Sequence, residues 1–224
     1  MIKMLQKDKF ELDIEEITYK IFLNADFKTK NIMNTLKEKL IELHKKNIVK
    51  ISHSVMELVC AKYLVEKGYE IIDIEHRLNE LLVCDIYGLR GEGDLIVEIE
   101  TGFIPPEGAL KPSIYSIARI ISKIARYSVF SNKFALGTPP YYILMIPELF
   151  FKPIRERSSK EALELKKICD IYYREPPIEA EDIRKARLHT IYIIDVDNLK
   201  TIEIDPENYM DNYISKLKPY FPSI

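Results

Sequence analysis

Tryptophan is absent and cysteine is scarce in this 224-residue chain, where Cys60, Cys84 and Cys169 stand far apart. Three widely spaced thiols make neither a disulfide framework nor a zinc motif, so each reads as a small buried apolar residue. No run of about 18 apolar residues occurs, which excludes a membrane-crossing helix. The opening MIKMLQKDKFELDIEE is charged from its start and carries no secretory signal. A cytoplasmic location without a membrane partner is therefore expected. The four histidines, His44, His53, His76 and His189, lack any H-E-x-x-H spacing; His53 could reach a site at the third helix but reads first as a capping or surface residue. Neither a G-x-x-x-x-G-K-[ST] nor a G-x-G-x-x-G stretch is present, so no organic cofactor is expected. The net charge of −2 and pI of about 6.2 also exclude a chain that binds nucleic acid by bulk positive charge.

What is present suits one sizeable domain: 47% hydrophobic and 30% charged residues, with no internal repeat and no Gly/Ser linker. Positive charge is local. Residues 28–50 hold seven lysines against Glu38 and Glu42, and Arg119, Lys123, Arg126 and Lys133 form a second group. The lysine-rich helix reads as a solvated face. Tyr115, Tyr127, Tyr141, Tyr142, Tyr172 and Tyr173 could stack on bases, although most of them read as core or interface.

Periodicity predicts helices over 9–23, 30–47 and 54–67, the last capped by Ser52 or Ser54 and stopped by Gly68. Strands follow at 70–78 and 81–89 through a tight turn at Asn79–Glu80, then at 94–102 after RGEGD. Next come a helix over 113–132, a buried strand in PYYILMIPEL (140–149) and a helix near 155–172. A short helix near 180–188, strands at 189–196 and 200–205, and a helix over 206–218 complete a mixed α/β chain.

Four acidic residues fall at telling places in that order. Glu57 lies in the first turn of the third helix, and Asp85 sits among Val83, Cys84 and Ile86 in the second strand. Glu98 and Glu100 end the third strand and share one face of it. If the second and third strands pair through the turn at 90–93, Asp85 and Glu98 meet across the ladder. Carboxylates converging without lysine partners make a hard oxygen site, suited to Mg²⁺ or Mn²⁺. Singly, each has a plainer reading. Glu57 could be an exposed helix-start glutamate, Asp85 a turn cap or a partner of Arg77 or Arg90, and Glu98 and Glu100 solvent-facing residues of an edge strand.

Taken together, a helix Glu, a strand Asp and an E-x-E closing the next strand before a helix resemble the PD-(D/E)XK nuclease superfamily. The pattern looks closest to its small archaeal Holliday-junction-resolvase-like branch. The resemblance covers roughly residues 52–148. It implies a restriction-endonuclease-like core at 51–150, a central mixed β-sheet flanked by helices. Residues 1–50 would be an N-terminal helical extension, and residues 151–224 a C-terminal α/β elaboration of the same domain. By this likeness Glu57, Asp85 and Glu98 bind the divalent metal. Cys84 replaces the proline before the aspartate, and Glu100 stands where the family usually carries a lysine. Lys123 is the candidate for a lysine moved onto the next helix, where Arg119, Ser122, Lys123 and Arg126 share one stripe opposite Ile117, Ile121 and Ile124. The implied activity is metal-assisted hydrolysis of phosphodiesters in branched or duplex DNA by a homodimer. Glu100 would bind a second ion or take a proton from water, and Lys123 or Arg126 would counter charge on the phosphate. Competing readings are a nuclease fold without activity that binds DNA or a protein, and an unrelated α/β interaction protein.

Overall fold

Asp8 and Asp26 open the first two helices by accepting hydrogen bonds from the backbone N–H of Glu11 and Thr29, satisfying donors that a helix start leaves free. The computed structural model describes residues 8–49 and 51–215. Helices α1 (Lys9–Phe22), α2 (Phe27–Lys45) and α3 (Ile51–Glu66) precede strands β1 (Ile71–Arg77), β2 (Val83–Arg90) and β3 (Gly93–Ile99). After α4 (Pro112–Tyr127) and β4 (Lys133–Thr138) come α5 (Ser159–Cys169), α6 (Ala180–Lys185), β5 (Thr190–Asp195), β6 (Lys200–Ile204) and α7 (Pro206–Tyr209). One six-stranded mixed sheet runs in chain order β1 to β6. Its β1–β2, β2–β3 and β5–β6 pairs are antiparallel, and β3–β4 and β4–β5 are parallel.

Alternation along the central strands builds two cores. Leu95, Val97, Ile99, Ala135 and Ile194 face α1–α3, while Ile96, Phe134, Leu136 and Ile191 face α4–α6. Strands buried on both faces read as continuous apolar runs, as parallel pairing requires. Between the sheet and α1 and α2 lies α3, which explains why Leu58, Val59, Cys60, Ala61 and Leu64 are all buried round its circumference. A glutamate in the middle of that helix has little access to water. The three cysteines are free thiols in the interior. Among the described residues, no helix is long and apolar enough to cross a membrane.

Several boundaries differ from the expected ones. The strand expected at 140–149 is not formed. The fourth strand is Lys133–Thr138, which continues directly from the end of the helical region expected to reach Asn132. A central strand must donate its N–H groups to both neighbours, and Pro139, Pro140 and Pro147 have none to donate. Leu144 and Ile146 are still buried, as an irregular segment against the α4-side core, with the Leu144 N–H donated to the Tyr209 hydroxyl at 2.9 Å. The helix expected over 155–172 starts later, where Ser158 and Glu161 form a capping box. The helix over 206–218 becomes α7 followed by a π-helical turn at Met210–Ile214, and residues past 215 lie outside the described ones. Ser54 sits inside α3 and not at its start, and the Ser52 side chain lies outside the described part.

Candidate metal and phosphate site

The site forms where β2 and β3 separate. Their ladder ends at Ile86–Val97, and the next pair, Asp85 and Glu98, substitutes side chains for backbone. Asp85 N–H donates to Glu98 Oε1 at 3.2 Å, and Ile99 N–H donates to Asp85 Oδ2 at 2.5 Å. Glu98 and Glu100 alternate in step with Ile96 and so point towards α4. Both are only 3% exposed, because β3 is an interior strand and not the solvent-facing edge of the plainer reading.

Two cations on α4 meet this pair. The Lys123 ammonium lies 3.0 Å from Glu98 Oε2, 3.3 Å from Asp85 Oδ2 and 2.7 Å from the Ile99 carbonyl, which uses all three of its donors. Arg119, one turn earlier, pairs with Glu100 at 2.5 Å and donates to the Phe103 carbonyl. Glu100 also accepts the Gly102 N–H at 3.0 Å. Gly102 has a φ of +81°, and a Cβ there would sit 2.5 Å from the Tyr142 ring, so only glycine lets the chain turn back on Glu100. Glu100 is thereby a clamp on the strand end and does not join the metal-ligand candidates. Arg126 also departs from expectation. It donates to the Pro176 carbonyl and lies over the Tyr173 ring, away from the carboxylates. Ser122 is buried.

The other half of the site comes from α3 and β1. The helix starts at Ile51, so Glu57 falls in its second turn, fully buried, and not in an exposed first turn. Neither of its carboxylate oxygens has a hydrogen-bond partner. His53, four residues earlier on the same face, Glu57 and Asp85 each offer an atom within 4.8 Å of the others, a candidate metal triad. Glu57 and Asp85 of the expected ligand set fall together in this group, with His53 beside them. Glu98, the third expected ligand, is engaged by Lys123 and the Asp85 N–H, as Asp85 is by Lys123 and the Ile99 N–H, and His53 is half-buried and not at the surface. Burial lowers the His53 pKa, favouring the neutral imidazole that a metal requires.

Sequence reasoning missed Glu75. The β1–β2 pairs on either side, Ile74–Ile86 and His76–Cys84, put it opposite Asp85, in a distorted backbone with φ of +47°. Burial and the Asp85 charge push its carboxyl up to about 7. Glu57 stands well above the usual carboxylate range, first through burial and then through the Asp85 and Glu75 charges. Burial and Asp85 push Glu98 to about 8 despite Lys123. Burial opposes the Lys123 charge, but Asp85, Glu98 and Glu100 outweigh it and hold the ammonium above its usual range.

Four carboxylates, Glu57, Glu75, Asp85 and Glu98, therefore gather round the Lys123 ammonium, with Lys39 adding a second positive charge felt at Glu75. No family model, curated protein or solved structure matches this chain. The chemistry of the site thus rests on its own geometry, which has two ways to relieve the excess negative charge: protons or a cation.

Both routes predict a pH effect. Carboxyls near 7 and 8 in the folded state, against about 4.5 when unfolded, favour folding of the protonated form. Their cost is absent below the unfolded value, grows as pH rises from there to the folded values, and levels off above them. Without divalent metal, the unfolding midpoint is expected to fall between about pH 5 and pH 8. Millimolar Mn²⁺ should recover most of that loss at pH 8 and little at pH 5. A calorimetric profile flat across this range would remove the case for an uncompensated buried cluster.

Proposed function

We propose that the protein is a divalent-metal-dependent DNA endonuclease with a restriction-endonuclease-like core. The observation that carries this reading is the Glu57 carboxylate, fully buried and without a hydrogen-bond partner, within reach of Asp85 and His53. A carboxylate left so in a protein interior would cost several kcal/mol unless protonated or bound to a cation. The donor set of two carboxylates and one imidazole fits a divalent ion, and the imidazole nitrogen favours Mn²⁺ over Mg²⁺. Such an ion would supply Lewis acidity to a phosphate oxygen.

The remaining work falls to the chain. Lys123, held charged, cannot take a proton, and instead provides fixed positive charge for a phosphate, the role the lysine of E-x-K has in the superfamily this chain resembles. Glu75, with a carboxyl near 7, is poised to accept a proton from an attacking water at neutral pH. Asp85 and Glu98 hold Lys123 in place. Cutting two strands is served by a symmetric pair, and the exposed Leu12, Tyr19, Leu23 and Phe27 on α1 and the start of α2 offer an apolar face for a homodimer.

A second reading is a nuclease fold that binds DNA without cutting. The saturation of Glu98 by Lys123 and of Glu100 by Arg119 favours it. The deciding experiment incubates the protein with end-labelled four-way junction, linear duplex and single-stranded DNA in Mg²⁺, Mn²⁺ or EDTA. Cleavage that needs metal and vanishes in Asp85→Asn is the expected outcome. Retained binding without cleavage in any metal would overturn the enzyme and leave the binding protein.

A further inference from the structure

A cavity of about 430 Å³ opens beside the candidate metal triad. It lies at the carboxyl ends of the three parallel strands, with Thr101 just beyond β3, Pro139 just beyond β4 and Asp195 closing β5. Ligands of open α/β sheets collect at such ends. Its inner wall includes Val55 and Met56, which directly precede Glu57 on α3. Thr101 follows Glu100. The cavity and the metal triad therefore share a helix and one end of the sheet, with Val55 and Met56 projecting from other sides of α3 than Glu57, so a strand crossing that end of the sheet meets both.

The lining chooses among ligands. Asp195 and Asp197 contribute carboxylates, Asp195 already accepting the Asn198 N–H at 3.1 Å and its side-chain amide at 2.7 Å, and no lysine or arginine stands among the described lining residues. Phosphate is repelled by such a pocket. Tyr141 lies at the pocket's edge with 85% of its surface exposed, against prolines that stiffen the backbone beneath it. An exposed aromatic face, apolar walls and carboxylate acceptors suit a flat, uncharged group bearing N–H donors. A nucleobase has both properties, with a π-face for the tyrosine and exocyclic amino groups for the carboxylates.

We infer that this pocket receives one unstacked nucleobase of the DNA strand presented to Glu57, Asp85 and His53, with Tyr141 as the stacking platform. This rests on the proposed nuclease reading and narrows its substrate to DNA with a single-stranded or splayed segment at the cut. A base inside a continuous duplex cannot reach the pocket without leaving its stack.

The test uses a short single-stranded oligonucleotide carrying one 2-aminopurine, titrated in EDTA with its duplex as comparison. The chain has no tryptophan, so the probe's emission is read cleanly. Expected is a saturable fluorescence change with the single strand, and a roughly tenfold weaker affinity for Tyr141→Ala that Tyr141→Phe restores. Thermal melts of the variants establish that this exposed substitution leaves the fold intact. Equal binding of single strand and duplex, or of Tyr141→Ala and the unaltered protein, would overturn the proposal. Parallel assays in Mn²⁺ on splayed and fully paired DNA separate the two readings. Metal-dependent cleavage unaffected by Tyr141→Ala on splayed DNA overturns the base pocket and keeps the nuclease. A Tyr141-dependent fluorescence change without cleavage of either DNA keeps the pocket and ends the nuclease.

Discussion

Lys123→Met is expected to destabilise the protein by about 3–5 kcal/mol, because it removes the ammonium paired with two largely buried carboxylates, Asp85 and Glu98. Asp85, Glu98 and the Ile99 carbonyl would each lose a partner in a place water hardly reaches. At roughly 2–4 °C per kcal/mol for a chain of this size, the unfolding midpoint should drop by about 6–20 °C. Adding Glu98→Gln and Asp85→Asn to Lys123→Met removes the stranded charge and should recover much of the loss, a coupling that a mutant cycle measures directly. Lys123→Arg keeps the charge in a wider head and should fall between. If cleavage occurs, Lys123→Met should slow it by about 10²–10³-fold at a temperature where the variant remains folded. A stability loss below about 1 kcal/mol would show that the ion pairs are solvated and that the cluster is not a closed electrostatic unit.

Glu57→Gln should act in the opposite direction on stability and more severely on function. At pH 8 the metal-free protein should gain about 1–3 kcal/mol, since a neutral amide replaces a carboxyl that must hold a proton or stay charged without a partner. The same change removes a ligand of the proposed cation. The unaltered protein should gain about 2.7 kcal/mol from Mn²⁺ at a hundredfold excess over its dissociation constant, and Glu57→Gln almost none. Cleavage should fall to background. Equal stabilisation of both proteins by Mn²⁺ would place the cation elsewhere and sink the triad of His53, Glu57 and Asp85. These two substitutions pull stability in opposite directions from within one cluster, which a general loss of packing cannot do.

How much of this site the sequence discloses depends on single-residue parity. Gly91 and Glu92 make a two-residue turn, and counting outwards from Arg90–Gly93 brings Asp85 opposite Glu98 without any structure. The same counting fails at β1–β2. A tight turn at Asn79–Glu80 would put Ile74 opposite Asp85, but the real connection is longer. The Leu78 and Asn79 N–H groups donate to the Leu82 carbonyl, and the Asn79 side chain accepts from Leu81 and Leu82. That shifts the register by one residue and puts Glu75 there instead. His53 ranks second as a site residue when the helix start is placed three residues late. Once α3 begins at Ile51, His53 and Glu57 are an i, i+4 pair on one face.

By itself the sequence determined the α/β class, the order of a helix Glu, a strand Asp and an E-x-E, and the approach of Asp85 to Glu98. Periodicity and short turns are local properties, written in neighbouring residues. Only the tertiary structure decided which cation meets which carboxylate. Lys123 went to Asp85 and Glu98, Arg119 to Glu100 and Arg126 to a backbone carbonyl, because these pairings depend on how α4 lies along β3. It also decided that Lys133–Thr138 and not the more apolar 140–149 completes the sheet centre, where every N–H must find an acceptor on a neighbouring strand. Burial of Glu57 has the same origin. A helix segment buried between the sheet and two other helices turns an ordinary glutamate into one that needs a proton or a cation.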